Sequence, residues 1–458
     1  MHKTKGTSAE EDRGLRRRLS FGGASSFGGK AVAVVATLAS NALLARLLSP
    51  HELGIYFIAF SIVLFGSQFG ALGLERVAVR FVAESVGLEE FGRARHIISL
   101  VFKLGVLSSL CAALIYLGLG QVLGRAVFSS PELAAVTGLI AGWLALMALS
   151  RLFIETFRGF QEFFVASLLD GAISGVLLCT CLGLLWSLPK QASSLSTVVV
   201  LTIACVLASI IFASWRLYGK TRRLPEQPVQ SQFSVRGVLR VALPLWITNL
   251  IVFTTLEQAY PHLWILGAYR QPAEVALYGA AMKLMLIVSM PSIIVNSVVA
   301  PLIAEMYAQE RKEKLESVLR STTTLVTIPA FLVALVFVLF GRPILGLIFG
   351  SEYRAGALIL ALLSVGQLGI VWAGPCVTTL MMTGHQTRMM LVASASALVA
   401  IVGSILVAGQ YGATGVAMVA SMGMVLQSVL MWLTTKAATG LWTHASFRRL
   451  FGLIRIEE

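Results

Sequence analysis

The chain has 458 residues, of which 57% are apolar and only 13% are charged, and its formal net charge is +14. Its mean hydropathy of +0.83 excludes an ordinary soluble domain, because a soluble fold needs a polar surface that this composition cannot supply. The basic residues are spread over short loops and tails, which is typical of membrane proteins and disfavours nucleic-acid binding.

The apolar residues form long runs that can each cross a membrane. The hydrocarbon core of a bilayer requires about 20 apolar residues per helix. The sequence therefore predicts an all-α, polytopic membrane protein with about twelve transmembrane helices. An even number of spans places both termini on the same side. The predicted spans are 21–45, 53–74, 97–119, 134–154, 164–187, 196–218, 241–266, 274–304, 321–341, 355–377, 389–407 and 414–435.

The distribution of charge predicts which side that is. If the N-terminus is cytoplasmic, the inner segments carry 28 Lys and Arg residues, whereas the outer loops carry six. Cytoplasmic loops of membrane proteins are enriched in basic residues. We therefore expect both termini, and the polar linker at 219–240, to lie in the cytoplasm.

An internal repeat divides the predicted spans into two sets of six. The segment SPHELGIY begins at Ser49 and QPAEVALY begins at Gln271, with Pro, Glu and Tyr at matching positions. Two halves of six helices have the same orientation in the membrane, an arrangement found in transporters whose site lies where the halves meet. The predicted parts are an N-terminal tail at 1–20, lobes at 21–218 and 241–435, the linker at 219–240, and a tail at 436–458. The sequence leaves two alternatives open for this last tail, a short interfacial helix or a frayed end.

Four stretches carry a family resemblance: LLARLLSPHELGIYFIAFSI, LGLERVAVRFVAE, LYGAAMKL and LIFGSEYRAG. Their order and spacing resemble the oligosaccharide flippases of the multidrug/oligosaccharidyl-lipid/polysaccharide (MOP) exporter superfamily, over nearly the whole chain. The resemblance implies two six-helix lobes in a V, with a cleft lined mainly by spans one, two, seven and eight. It also implies the bacterial inner membrane, and a sugar chain on an isoprenoid pyrophosphate that moves from the inner to the outer leaflet.

Basic side chains inside or beside the spans are candidates for binding an anionic head group. An ionisable residue costs about 2.5–3.5 kcal/mol to place at the centre of a membrane helix, so those present need a reason. Lys283 and Lys30 lie inside spans, and Lys binds phosphate as a point charge. Arg46 and Arg270 are expected at the outer rim of the cleft, where they would assist in binding the head group.

Three other residues are candidates for coupling or charge pairing. Glu257 stands at a predicted depth similar to that of Lys283 on the neighbouring span, so it is a candidate partner or proton site. Many relatives carry an Asp in span seven where this chain has His262, which puts the role of that Asp in doubt here. Asp170 is the fourth intramembrane charge. For each of these residues the alternative is structural: an ion pair, a snorkelling side chain or a packed histidine.

Three functions remain open on the sequence. A flippase working by alternating access is the leading interpretation. The second is a multidrug or toxin exporter coupled to protons or sodium, which the absence of an acid in span one disfavours. The third, a membrane glycosyltransferase or polymerase, is disfavoured because the short outer loops hold at most one acid each and no catalytic constellation. We expect a monomer without cofactor or metal, whose partners are a lipid-linked glycan, membrane lipids and a coupling proton or sodium ion.

Overall fold

The computed structural model of the chain describes residues 29, 32–187, 194–225, 227, 234–256 and 259–446. Over this part of the chain the regular structure is helical, and it contains no β-strand. The all-α fold predicted from the apolar runs is therefore confirmed.

Sixteen α-helices follow one another in the described residues. Their bounds are α1 Val32–Leu47, α2 Pro50–Ala71, α3 Leu74–Gly87, α4 Phe91–Val122, α5 Pro131–Ala135, α6 Thr137–Gly159, α7 Phe163–Ser167, α8 Ile173–Trp186, α9 Leu195–Arg223, α10 Val235–Leu256, α11 Ala259–Tyr269, α12 Pro272–Ala308, α13 Lys312–Ile348, α14 Ala357–Ala373, α15 Cys376–Met382 and α16 Gln386–Thr439. Shorter helical turns lie at Leu123–Val127, Leu168–Ala172 and Ser351–Gly356.

Nine helical stretches of the described chain are long and apolar enough to cross a membrane. One of them, α16, has 54 residues. At about 1.5 Å per residue such a helix would far exceed the roughly 30 Å of hydrocarbon in a bilayer. The backbone breaks at Gly412, which has φ 56° and ψ −147°. This break separates the predicted spans 389–407 and 414–435, while the total of twelve spans stays a prediction.

Many large apolar side chains point outward, as a lipid solvent allows. Leu114 in α4 is 65% exposed and Leu406 in α16 is 74% exposed. In water this would be an unusually large apolar surface, whereas in a bilayer these side chains meet acyl chains.

The contacts divide the chain into two compact units. Unit 1 consists of residues Met1–Leu43, Ile62–Val122 and Leu133–Asn249, and unit 2 consists of Leu44–Ser61, Leu123–Glu132 and Leu250–Glu458. The units follow spatial contacts, whereas the lobes 21–218 and 241–435 follow the sequence repeat. The lobes therefore remain a prediction.

The core of unit 1 is built from α3, α4, α6 and α9. Leu74, Ile97, Leu152 and Phe157 are fully buried in it. Small side chains let the helices approach: Gly70 in α2 packs against Ala148 in α6. The first turns of α10 complete this core through two further buried side chains, Val238 and Ala242.

Unit 2 is built around α12, α13, α14 and α16, joined by α11 and the first half of α2. Its α12 begins at Pro272, as α2 begins at Pro50, and both helices have a Glu in the first turn. Proline suits the first helical position because its missing N–H would be unpaired there anyway. The repeated motif seen in the sequence thus starts two helices of this unit in the same way.

Candidate functional site

Lys283 is a buried cation in the middle of α12, with only 5% of its surface exposed. Its Nζ lies 4.9 Å from the centre of the Phe60 ring in α2. Phe60 stacks on Tyr56, with ring centroids 6.4 Å apart and an interplanar angle of 10°. A cation over an aromatic face gains about 0.5–2 kcal/mol. The ring stabilises the ammonium group without removing its charge.

Close packing and one hydrogen bond hold α2 beside α11 and α12. Gly54 faces the first carbonyl group of α12 so closely that a Cβ would overlap it, and Gly279 leaves room for the Phe57 ring in the same way. Trp264 in α11 donates its indole N–H to Ser61 Oγ at 2.7 Å. The three helices are thereby fixed against each other where the aromatic ring meets the ammonium group.

Arg270 lies at the end of α11, where it is joined to the start of α12. Its Nε donates to Glu274 Oε1 at 2.9 Å, and Glu274 Oε2 accepts a hydrogen bond from the Ala413 backbone N–H at 3.1 Å. The ion pair therefore holds the break of α16 at Gly412. The predicted role of Arg270 at the outer rim would have to coexist with this contact.

Arg46 has a structural partner as well. Its Nη2 donates to the carbonyl oxygen of Leu347 at 2.6 Å, at the last turn of α13. The carbonyl groups of the last helical turn lack intrahelical donors, and a cation there also suits the helix dipole. Arg46 and Arg270 are thus both engaged in unit 2 at contacts distinct from the one between Lys283 and Phe60.

His262 in α11 is fully buried. Its Nδ1 lies 3.1 Å from Ser404 Oγ in α16, and its ring centroid is 6.4 Å from that of Tyr278. Neither His262 Nε2 nor the Tyr278 hydroxyl has a hydrogen-bond partner among the described residues. The packed-histidine interpretation accounts for the Ser404 contact, and the coupling role stays a prediction.

Asp170 belongs to unit 1, at a kink between α7 and α8 where Gly171 has φ 104°. Its carboxylate accepts a hydrogen bond from Arg158 at 2.9 Å, and Arg158 also pairs with Glu155. The Asp170 side chain is 45% exposed. The structure therefore places Asp170 in a surface ion-pair network, in a different unit from Lys283.

Two predicted site residues, Lys30 and Glu257, lie outside the described residues. The proposed pairing of Glu257 with Lys283 therefore stays a prediction. So does the interfacial helix in the tail, because residues 447–458 also lie outside the described part.

The sequence did not single out the side chains that surround Lys283. Phe60, Ser61 and Trp264 are ordinary residues of apolar spans, and only the helix contacts bring them to the lysine. One signal was available: Tyr56 and Tyr278 occupy matching positions of the repeat, and both are buried. That match could have directed attention to the aromatic run that follows Tyr56.

Comparisons with protein families give two matches. A family model described as "Polysaccharide biosynthesis protein" matches residues 24–307, and a model described as MatE matches residues 262–406. No curated protein sequence matches the chain.

Several solved structures have a similar fold. An inward-facing multidrug resistance MATE family transporter of the MOP superfamily is 14% identical, with a TM-score of 0.76 over 89% of this chain and 94% of that one. The lipid II flippase MurJ, in an inward closed conformation, is 15% identical, with a TM-score of 0.69 over 91% of this chain and 87% of that one. A MOP superfamily transporter from Pyrococcus furiosus, described as having a binding pocket of reverse polarity, is 14% identical, with a TM-score of 0.58 over 91% of this chain and 94% of that one.

Proposed function

Since the chain belongs to the polysaccharide biosynthesis protein family and has the fold of MOP superfamily transporters, we propose that it flips a lipid-linked oligosaccharide from the inner to the outer leaflet of the bacterial plasma membrane. The resemblance to this superfamily that the sequence carries is confirmed. The matched structures are described as transporters and as a flippase, which favours transport over catalysis.

The buried ammonium group of Lys283 is the observation that carries this proposal. A sugar chain on an isoprenoid pyrophosphate has an anionic head group, and a cation in a membrane helix lowers the free energy of such a group nearby. Phe60 holds the ammonium by its ring face, 4.9 Å away. An entering phosphate would compete with this contact, which contributes about 0.5–2 kcal/mol. Lys30 and Glu257 are the proposed additional cation and charge partner.

The membrane potential would assist outward movement. A negative interior favours export of an anion by about 2.3 kcal/mol per charge per 100 mV. A pyrophosphate with two charges would therefore gain roughly 4–5 kcal/mol at 100 mV. Coupling to protons or sodium would then add to the membrane potential, which already favours outward movement of the anion.

A multidrug exporter is the second candidate, and the MatE match over residues 262–406 favours it. An exporter of cationic drugs needs negative charge at its binding site, because a buried lysine repels cations. The two candidates therefore make opposite demands on Lys283. Removing its charge should weaken glycan export, whereas it should leave cation export unchanged or improve it.

Lys283→Ala and Lys283→Arg test the proposal in cells that depend on this gene for surface glycan. We expect Lys283→Ala to reduce surface glycan at least tenfold at normal protein abundance, because the head group loses its cation. Lys283→Arg should retain part of the activity, since the charge remains while its geometry changes. Surface glycan is measured by lectin or antibody labelling, and the protein by immunoblot of membranes.

Lys103→Ala is the matched control, because Lys103 lies in the membrane helix α4 but is exposed. It should export normally. Normal glycan export by Lys283→Ala would refute the role of Lys283 in the head-group site. If Lys283→Ala instead disappears from the membrane while Lys103→Ala does not, Lys283 is structural.

A further inference from the structure

The segment that follows α16 folds back over the end of unit 2 instead of leaving it. Gly440, with φ 79°, ends α16 in the left-handed conformation that glycine adopts without strain. In the strap, which we define as residues Gly440–Ser446, three side chains are buried: Leu441 is 1% exposed, Thr443 is fully buried and Ala445 is 6% exposed. Three of the seven strap residues are thus buried, although none of them belongs to a helix.

Backbone hydrogen bonds tie the strap to two helices. The N–H of Trp442 donates to Glu316 Oε2 in α13 at 3.1 Å, and the N–H of Ala445 donates to the last-turn carbonyl of Trp372 in α14 at 3.0 Å. The N–H of Ser446 donates to Thr324 Oγ1 in α13 at 2.9 Å.

The strap also reaches α12, the helix that carries Lys283. Leu441 belongs to a buried cluster with Val299 and Ile303 of α12 and with Leu315 and Leu319 of α13. The ends of α12, α13 and α14 that the charge distribution predicts to be cytoplasmic are therefore joined by one short segment.

His444 is the titratable group at the centre of the strap. Trp432 in α16 donates its indole N–H to His444 Nδ1 at 3.0 Å, and Arg320 Nη2 in α13 lies 3.4 Å from His444 Nε2. Indole and guanidinium groups can only donate hydrogen bonds. Both ring nitrogens therefore face N–H donors. A neutral imidazole satisfies one of them, whereas an imidazolium would present two N–H groups to two donors.

The charges around the ring act mainly in the same direction. Burial lowers the pKa of His444 below its usual range, and the Arg320 guanidinium lowers it further, while Glu316 opposes this effect. Glu316 Oε1 lies 3.6 Å from Arg320 Nη1, and Glu316 Oε2 accepts the hydrogen bond from the Trp442 N–H. Lys436 of α16 lies over the Trp442 ring, 4.7 Å from its centre. Of these groups, Arg320 disfavours an added positive charge on His444.

We propose that the strap is an acid-sensitive latch, closed over the cytoplasmic ends of α12, α13 and α14 while His444 is neutral and released when His444 takes up a proton. The closed strap binds fewer protons than the released one. Acidification through the ordinary range of a histidine therefore favours release, and once His444 is protonated in both states, further acidification has no additional effect. Cytoplasmic acid would then loosen the end of the helix that carries Lys283.

Hydrogen exchange of the full-length protein in lipid nanodiscs, followed by mass spectrometry without substrate, tests the latch. After correction for the intrinsic pH dependence of exchange, peptides that cover residues 441–446 should exchange at least fivefold faster at pH 5.5 than at pH 7.5. His444→Gln has an acceptor oxygen for Trp432 and does not titrate, so its corrected exchange should be equal at the two pH values. His385→Gln is the matched control: His385 precedes α16 and contacts Thr383 instead of the strap. It should behave like the wild type.

Corrected exchange of the wild type that does not depend on pH would overturn the proposal. A pH dependence that persists in His444→Gln would also overturn the proposal. It would show that another titratable group, such as Glu316, causes the pH dependence. If His444→Gln exposes the strap at both pH values, His444→Asn repeats the test with a shorter acceptor. Exposure in both variants would show a purely structural histidine. Because the measurement needs no substrate, its outcome is independent of the proposed transport function.

Discussion

Gly412→Ala should destabilise the protein by about 2–3 kcal/mol, through two effects that the structure separates. The backbone at Gly412 has φ 56° and ψ −147°, a region that costs a residue with a side chain about 1–3 kcal/mol. A Cβ there would overlap the Glu274 carboxylate and approach Arg270. The hydrogen bond from Ala413 to Glu274 would then be distorted, and such a bond to a charged group contributes about 1.5–3 kcal/mol. Because this pair is about one-third exposed, the lower end of each range applies.

Thermal unfolding of the purified protein in one detergent measures the effect. We expect the melting temperature of Gly412→Ala to fall by about 5 °C, using the usual few degrees per kcal/mol for large domains. Gly409→Ala is the matched control, since Gly409 lies in the same helix and a Cβ at this position would meet no atom within 4 Å. Its melting temperature should stay the same or rise slightly, because Ala is favoured over Gly in a helix by about 1 kcal/mol. Glu274→Gln should destabilise too, and the double variant should lose less than the two effects added.

Equal melting temperatures for Gly412→Ala and Gly409→Ala would refute this reasoning. The backbone strain and the carboxylate contact would then contribute nothing to the free energy of unfolding. The same assay bears on Arg270. If Arg270→Gln melts early but exports normally per molecule, its role is to hold the break in α16. If it melts normally and fails to export, the role predicted at the outer rim gains support.

Two further predictions concern topology and the packing of α2. Cysteines placed at positions 190 or 270 in a cysteine-free background should react with an impermeant thiol reagent in intact cells, whereas one at 230 should react only after permeabilisation; the reverse pattern would contradict the predicted orientation. Gly54→Ala should lower the melting temperature, because its methyl group meets a backbone carbonyl of α12 and overpacking costs about 1–3 kcal/mol. Gly118→Ala, which meets no atom within 4 Å, should not, and equal shifts in the two variants would show that the helices separate without cost.

The family resemblance could be found from the sequence because the motifs that carry it are local. SPHELGIY and QPAEVALY lie at the starts of α2 and α12, where proline and an acidic first turn favour helix initiation. Lys283 could be singled out because a charge in an apolar run is visible without any structure. The surroundings of Lys283 could not be predicted in the same way. Trp264 and Ser61 are 203 residues apart, and which faces of their helices meet depends on helix rotation and packing.

The sequence by itself determined the solvent of this protein, its all-helical class and its family. The solvent and the helical class follow from the length of the apolar runs, because a helix that spans a bilayer satisfies its backbone hydrogen bonds internally. The family follows from the local motifs. Only the tertiary structure decided which partner each charge has. In the structure Lys283 lies over the Phe60 ring, and Arg270 pairs with Glu274 beside the break in α16. His444 accepts a hydrogen bond from Trp432 of α16. Burial of a charge requires a partner, and that partner is selected by the packing of helices that lie far apart along the chain.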